Sequence, residues 1–110
     1  EAEVIFDQKL EGKLYAEGSR DTPCIIEVTA KADLTNYKIT LNGEPYTIES
    51  LMNGETIVIN GKTGKITKEG DNAFGSVDLW AFPKLKTGRN DLAFSTNGAR
   101  VTVRYSPMWL

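Results

Sequence analysis

Four Asn-Gly pairs, Asn42-Gly43, Asn53-Gly54, Asn60-Gly61 and Asn97-Gly98, fall within 110 residues, each beside a run where β-branched or aromatic residues alternate with polar ones. Asparagine and glycine reach positive φ with the least strain. Together they can supply both central residues of a tight primed turn, whose twist suits two antiparallel strands. No window longer than one turn shows apolar residues at helical spacing. The class is therefore all-β. The economical arrangement is a two-sheet antiparallel β-sandwich of about nine short strands, because a single sheet of this length would leave an apolar face wet.

The strands can be followed along the chain. Val4-Ile5-Phe6 is a short apolar patch, and residues 1–12 read as an edge strand or a linker docked on the body. Cys24, Ile26, Val28 and Ala30 share one face of a strand with Ile25, Glu27 and Thr29 on the other, so one side is buried. Tyr37, Ile39 and Leu41 alternate up to Asn42-Gly43, and Tyr46 and Ile48 alternate after it, which predicts a hairpin over 36–51. Residues 55–59 form a strand bracketed by two Asn-Gly pairs, Ile66 anchors the next one, and 69–76 reads as a long loop. Residues 77–82 supply another strand. The end of the chain predicts a second hairpin, with Leu92 and Phe94 paired to Val101 and Val103 across Asn97-Gly98.

Composition narrows the chemistry. There is no histidine, which removes imidazole acid-base catalysis, the usual serine and cysteine triads and histidine-zinc sites. Cys24 is the sole cysteine, so no internal disulfide forms, and its apolar surroundings favour a small buried hydrophobe over a reactive thiol. The net charge of −2 argues against nucleic-acid binding. That charge is uneven: residues 1–60 carry 5 basic and 11 acidic groups, residues 61–110 carry 8 and 4, so the two halves can attract one another within the fold or between subunits. No apolar run approaches the roughly 20 residues of a spanning helix. The chain begins at Glu1 without a signal-like segment, and one domain that is the carboxyl-terminal fragment of a longer chain is the expectation.

The motifs are mostly structural. Gly61-Lys62-Thr63 has the tail of a phosphate-binding loop, but Thr56 stands where its first glycine belongs and strand follows where a helix should, so residues 61–64 read as a hairpin turn. Asp71-Asn72-Ala73-Phe74-Gly75 lacks the acidic spacing of a calcium loop. Asp71, Asp78 and Asp91 would be the carboxylates of a small glycoside hydrolase, and surface solvation is the plainer account of them. No catalytic residue, metal or cofactor is implied. Tyr37 and Tyr105 share core faces. Trp80, Tyr15, Tyr46 and Trp109 remain as aromatic side chains for an interaction surface or for stacking on sugar rings. Trp109 also ends the chain within Met108-Trp109-Leu110, which would cover the open end of the sandwich if it folded back.

Phe82-Pro83-x-Leu85-x-x-Gly88-x-Asn90, a strand pair, and then Tyr105-x-Pro107-x-Trp109-Leu110 resemble the C-terminal domain of distal tail proteins of long-tailed bacteriophages, most clearly over residues 45–110. Thr87 stands where that family commonly has proline and Ser106 where it has arginine. The resemblance implies a galectin-like or carbohydrate-binding-module-like jelly roll, without the histidine that galectins use for galactosides. It implies a non-enzymatic structural part of a phage or prophage tail tip, assembled in the bacterial host cytoplasm. Its partners would be the tail-tip hub, the tape measure and a tail-associated or receptor-binding protein. The alternative is a carbohydrate-binding module contacting a host cell-wall or surface glycan. Family members form hexameric rings through an amino-terminal domain, so this chain alone is expected to be a monomer.

Overall fold

The computed structural model describes residues 2–107. The strands are β1 (Ala2–Asp7), β2 (Glu11–Ala16), β3 (Thr22–Ala30), β4 (Leu34–Leu41), β5 (Glu44–Leu51), β6 (Thr56–Asn60), β7 (Lys65–Lys68), β8 (Asp71–Asn72), β9 (Val77–Asp78), β10 (Lys84–Leu85), β11 (Gly88–Phe94) and β12 (Ala99–Tyr105). A single turn of 3-10 helix, Phe74–Ser76, lies between β8 and β9. One antiparallel sheet has the order β1-β12-β3-β6-β7-β8, with β10 also pairing with β3; the other has the order β2-β11-β4-β5-β9. The expected sandwich is present. Twelve strands form rather than about nine, three of them only two residues long.

The core lies between the sheets and is set by alternation. Cys24, Ile26, Val28 and Ala30 of β3, Ile57 and Ile59 of β6, and Val101 and Val103 of β12 face Leu14, Ile39, Leu41, Ile48, Leu92 and Phe94 of the other sheet, all buried. Tyr37 and Tyr105 are buried with them, as their faces predicted. The Tyr37 hydroxyl has no hydrogen-bond partner among the described residues, and burial pushes its pKa up to about 12. The Cys24 thiol is likewise pushed up to about 12 by burial and stays a thiol.

The hairpin over 36–51 forms as expected. Leu41 opposes Glu44, and Asn42 and Gly43 take φ of 51° and 87°, the primed geometry that suits this pair. Residues 61–64 are the predicted turn between β6 and β7, closed by the Asn60 Oδ1, which accepts from the backbone N–H groups of Lys62 and Thr63 at 2.9 and 3.1 Å.

Three expectations need correction. The last hairpin does not exist: β11 pairs with β2 and β4, whereas β12 pairs with β1 and β3 in the opposite sheet. Residues 95–98 form an arch over the core edge, and neither Asn97 nor Gly98 has positive φ. The reason is that alternation reports which side chains point inward, and two strands that oppose each other across a core alternate just as two paired strands do. The strand expected over 77–82 is cut to Val77–Asp78, because the chain then leaves one sheet to reach the other. The long loop expected over 69–76 instead contains a primed turn, with Glu69 and Gly70 at φ of 51° and 85°, then β8 and the 3-10 turn.

The charge asymmetry is met within the fold. Arg104 of β12 donates to Glu27 and Glu3 on the two neighbouring strands, each at 2.9 Å, Arg100 reaches Asp7 at 3.4 Å, and Lys68 reaches Glu55 at 3.5 Å. Each joins the acidic half to the basic half. The Arg100 hydrogen bond holds the Asp7 carboxyl below its ordinary pKa.

Candidate functional site

The segment from β9 to β11 leaves its sheet, pairs with β3 of the other sheet as β10 and returns, and its anchors account for the motif residues one by one. Phe82 is half buried, and its ring lies 6.1 Å from that of Phe74. The Pro83 carbonyl accepts from the Cys24 backbone N–H at 3.1 Å, and β10 then continues along β3 where β6 departs. Gly61 sits beneath this crossing: a Cβ there would run into the carbonyls of Pro83 and Cys24. Leu85 is fully buried. Gly88 takes φ of 89°, where a side chain is strained.

Asn90 closes the segment. It is fully buried, a rare position for an amide, and the surrounding backbone satisfies it. Its Oδ1 accepts from Lys86 N at 2.8 Å and from the Asn42 side-chain amide at 2.9 Å. Its Nδ2 donates to the carbonyls of Lys86 at 2.9 Å, Gly88 at 3.1 Å and Leu14 at 3.4 Å. Asn42 in turn accepts from Asp91 N at 2.9 Å, so the β4–β5 turn is tied to the start of β11. The motif marked this asparagine, but nothing in its local spacing discloses a bond to a residue 48 positions away.

Trp80 stands at the crest of this pinned crossing and is 90% exposed, the most exposed of the large apolar side chains described. Beside it a groove of about 390 Å³ runs between the crossing and the β4–β5 turn. Tyr46 forms part of the groove wall, Asp21 and Glu44 bring carboxylates to it, and Lys84 and Lys86 bring ammonium groups. Tyr46 is only 4% exposed, so its ring face is packed in the core and unavailable for stacking; burial, with help from the Glu44 carboxylate, pushes its pKa up to about 12.

The structure thus brings Trp80 and Tyr46 to one groove and leaves Tyr15 elsewhere. Tyr15 is 67% exposed on the edge strand β2, opposite Arg89. Nearby, the solvent face of β2, β11 and β4 forms a wider depression of about 590 Å³ that includes Lys13, Thr40, Arg89 and Asp91. Arg89 is committed there to Asp91 at 2.9 Å, which raises the Arg89 pKa. Trp109, with the proposed fold-back of Met108-Trp109-Leu110, lies outside the described residues. The chain leading to it is held at the Trp80 end, where Thr22 Oγ1 donates to the Ser106 carbonyl at 3.0 Å.

The three carboxylates of the hydrolase reading are not brought together. Asp78 on β9 and Asp91 on β11 are separated by β5 and β4, three strand spacings, or about 14 Å at the usual separation of neighbouring strands. Glycosidase pairs lie about 5–9.5 Å apart. Asp71 belongs to the other sheet. Among the described residues no group of three or more histidine, cysteine, aspartate or glutamate side chains could hold a metal ion, and no helix is long and apolar enough to cross a membrane.

Comparison with known proteins agrees with this architecture. The fold is similar to the crystal structure of the SPP1 Dit (gp 19.1) protein, described as a paradigm of hub adsorption apparatus in Gram-positive infecting phages, with a TM-score of 0.70 at 15% identity. The similarity covers 93% of this chain and 45% of that one, so the chain spans less than half the length of the protein it matches. No curated protein matches it. The family model for the siphovirus-type tail component, C-terminal domain, matches residues 17–109, a range that contains the pinned crossing, Asn90 and Trp80. By that match, this chain belongs to the siphovirus-type tail component family as a C-terminal domain.

Proposed function

We propose that this domain is a structural interaction module of a phage or prophage tail tip, and that it docks on other tail proteins through the end of the sandwich that carries Trp80. The observation that supports this reading is the exposure of Trp80 on a short segment anchored on both sides, by the pairing of Asp78 with Thr47 and by the Pro83 carbonyl. Its crossing is held by the Phe82–Phe74 contact, the Pro83 carbonyl and the Asn90 bonds. An aromatic side chain held out by a rigid scaffold loses little entropy when a partner covers it, and tryptophan is among the residues that most often dominate interfaces. The surrounding Asp21, Glu44, Lys84 and Lys86 would form the polar rim.

In this reading the chain is the carboxyl-terminal part of a longer distal tail protein at the virion tail. That protein forms a hexameric ring through its amino-terminal domain and contacts the hub, the tape measure or a receptor-binding protein. The domain is non-catalytic. The chain by itself then runs as a monomer in light scattering, and a stable hexamer would contradict the assignment of ring contacts to an amino-terminal domain.

The docking test is Trp80→Ala in the full-length protein, with affinity for the purified neighbouring tail proteins measured by interferometry. Loss of an interface anchor costs about 2–4 kcal/mol, so binding should weaken roughly 30-fold or more while the melting temperature holds. Parent-like affinity for every tail partner would overturn the reading. The meeting of Trp80, Tyr46, Asn42 and charged side chains in one groove favours one second reading, a module that stacks a cell-wall or surface saccharide on Trp80. A glycan array probed with the parent and the Trp80→Ala chain separates the two.

A further inference from the structure

Asparagine followed by glycine is chemically as well as conformationally distinctive. The glycine backbone nitrogen, once deprotonated, attacks the side-chain amide carbon of the asparagine. A C–N bond forms, ammonia leaves, and the resulting succinimide adds water and opens to aspartate or, through its other carbonyl, to isoaspartate. Water is the only co-reactant. Two restraints oppose the attack in a folded chain: hydrogen bonds that hold the side-chain amide away from the nucleophile, and a hydrogen bond to a carbonyl that keeps the glycine N–H protonated.

The Asn-Gly pairs differ in these restraints. Asn42 carries both a bond from its Nδ2 to Asn90 and one from Asp91 N to its Oδ1, inside a tight turn. Asn60 Oδ1 accepts two backbone N–H groups, and Gly61 N donates to Cys24 O at 2.8 Å in a spot with no room to move. Asn53 is exposed with a side chain that makes no hydrogen bond among the described residues, but its neighbour Gly54 donates its N–H to Ala30 O at 2.9 Å. Asn97 is exposed and its side chain also makes no hydrogen bond among the described residues. Among the described residues the Gly98 N–H reaches only the Thr96 hydroxyl, at a long 3.3 Å.

We infer that Asn97 is the site at which this protein deamidates spontaneously, ahead of its other three Asn-Gly pairs. The reaction adds one negative charge, and the isoaspartate product inserts a methylene into the main chain of the arch that joins the two sheets. That arch is tied to the body by the bond from Lys31 N to the Gly98 carbonyl at 2.7 Å. The modification therefore acts at the link between β11 and β12 and far from Trp80 in the fold, at the opposite end of β3 from Thr22.

The test is to incubate the purified chain at mildly alkaline pH and follow acidic species by ion exchange, with each product located by peptide mass mapping that separates aspartate from isoaspartate. Product at position 97 should form about fivefold faster than at position 53, the difference made by one backbone hydrogen bond worth about 1 kcal/mol. Asn97→Gln should remove the first acidic species. Asn53→Gln should leave its rate unchanged, and that variant decides the matter even if Asn97→Gln disturbs the fold. First product at position 42, 53 or 60, or parent-rate acidification of the Asn97→Gln chain, would overturn the inference.

Discussion

Replacing Asn90 by alanine should be the most damaging polar substitution in this domain. The side chain is fully buried and makes four hydrogen bonds between 2.8 and 3.1 Å, with a fifth at 3.4 Å. Alanine removes them all and leaves the N–H and C=O of Lys86, the carbonyl of Gly88 and the Asn42 amide without their partner. At about 1 kcal/mol for each of the four good bonds the cost is about 4 kcal/mol, a large share of the 5–15 kcal/mol that keeps a domain of this size folded. That corresponds to a fall in melting temperature of about 15 °C, readable by circular dichroism. Asn42→Ala loses two of its own bonds and should cost about 2 kcal/mol. Because one bond is shared, the double mutant should be about 1 kcal/mol less damaged than the sum of the single changes. Should Asn90→Ala melt within about 3 °C of the parent, water has taken over these bonds and the crossing is not held by Asn90.

Other changes test the remaining contacts. Gly61→Ala drives a methyl group into the carbonyls of Cys24 and Pro83 and should cost about 2–3 kcal/mol in urea unfolding, whereas Gly43→Ala meets open space and should cost about 1 kcal/mol for its left-handed φ alone. Cys24 should react with a thiol reagent no faster than the chain unfolds, since it is buried and its pKa is pushed up to about 12. Cys24, Tyr37 and Tyr46 all have folded pKa values raised to about 12 from 9.0, 10.0 and 10.0. The stability they contribute is complete below the unfolded values and is lost as pH climbs toward 12, so phenolate absorbance from Tyr37 and Tyr46 should rise together with unfolding. Asp7 has the opposite sign. Its pKa is depressed by Arg100, so the stability advantage of the parent over Asp7→Asn should be present above pH 3.8 and fade as pH falls through the lower folded value.

How much of this was legible beforehand depends on the range of the interaction. The Asn42-Gly43 hairpin was readable because a tight turn joins neighbours in sequence, and its φ values are a property of the two residues themselves. The core face of β3 was readable from its period of two. The same signals do not distinguish pairing from packing at Asn97-Gly98, where the inward alternation of Leu92 and Phe94 and of Val101 and Val103 reflects packing across the core. The aromatic residues show a similar division. Tyr46 and Trp80 looked alike as candidates for an exposed site, yet one is 4% exposed and the other 90%.

The sequence by itself determined the all-β class, the inward faces of the strands, the β4–β5 turn and the turn at 61–64, since these follow from backbone preferences and side-chain period within a few residues. It also carried the family motif from Phe82 to Asn90. Only the tertiary structure decided which strands share a sheet, that Asn90 locks onto Asn42 and Lys86, and that Trp80 is held in solvent above a groove. These depend on contacts between residues tens of positions apart. Which of the arrangements consistent with the alternation is adopted is settled by filling one core while giving buried polar groups such as the Asn90 amide their partners.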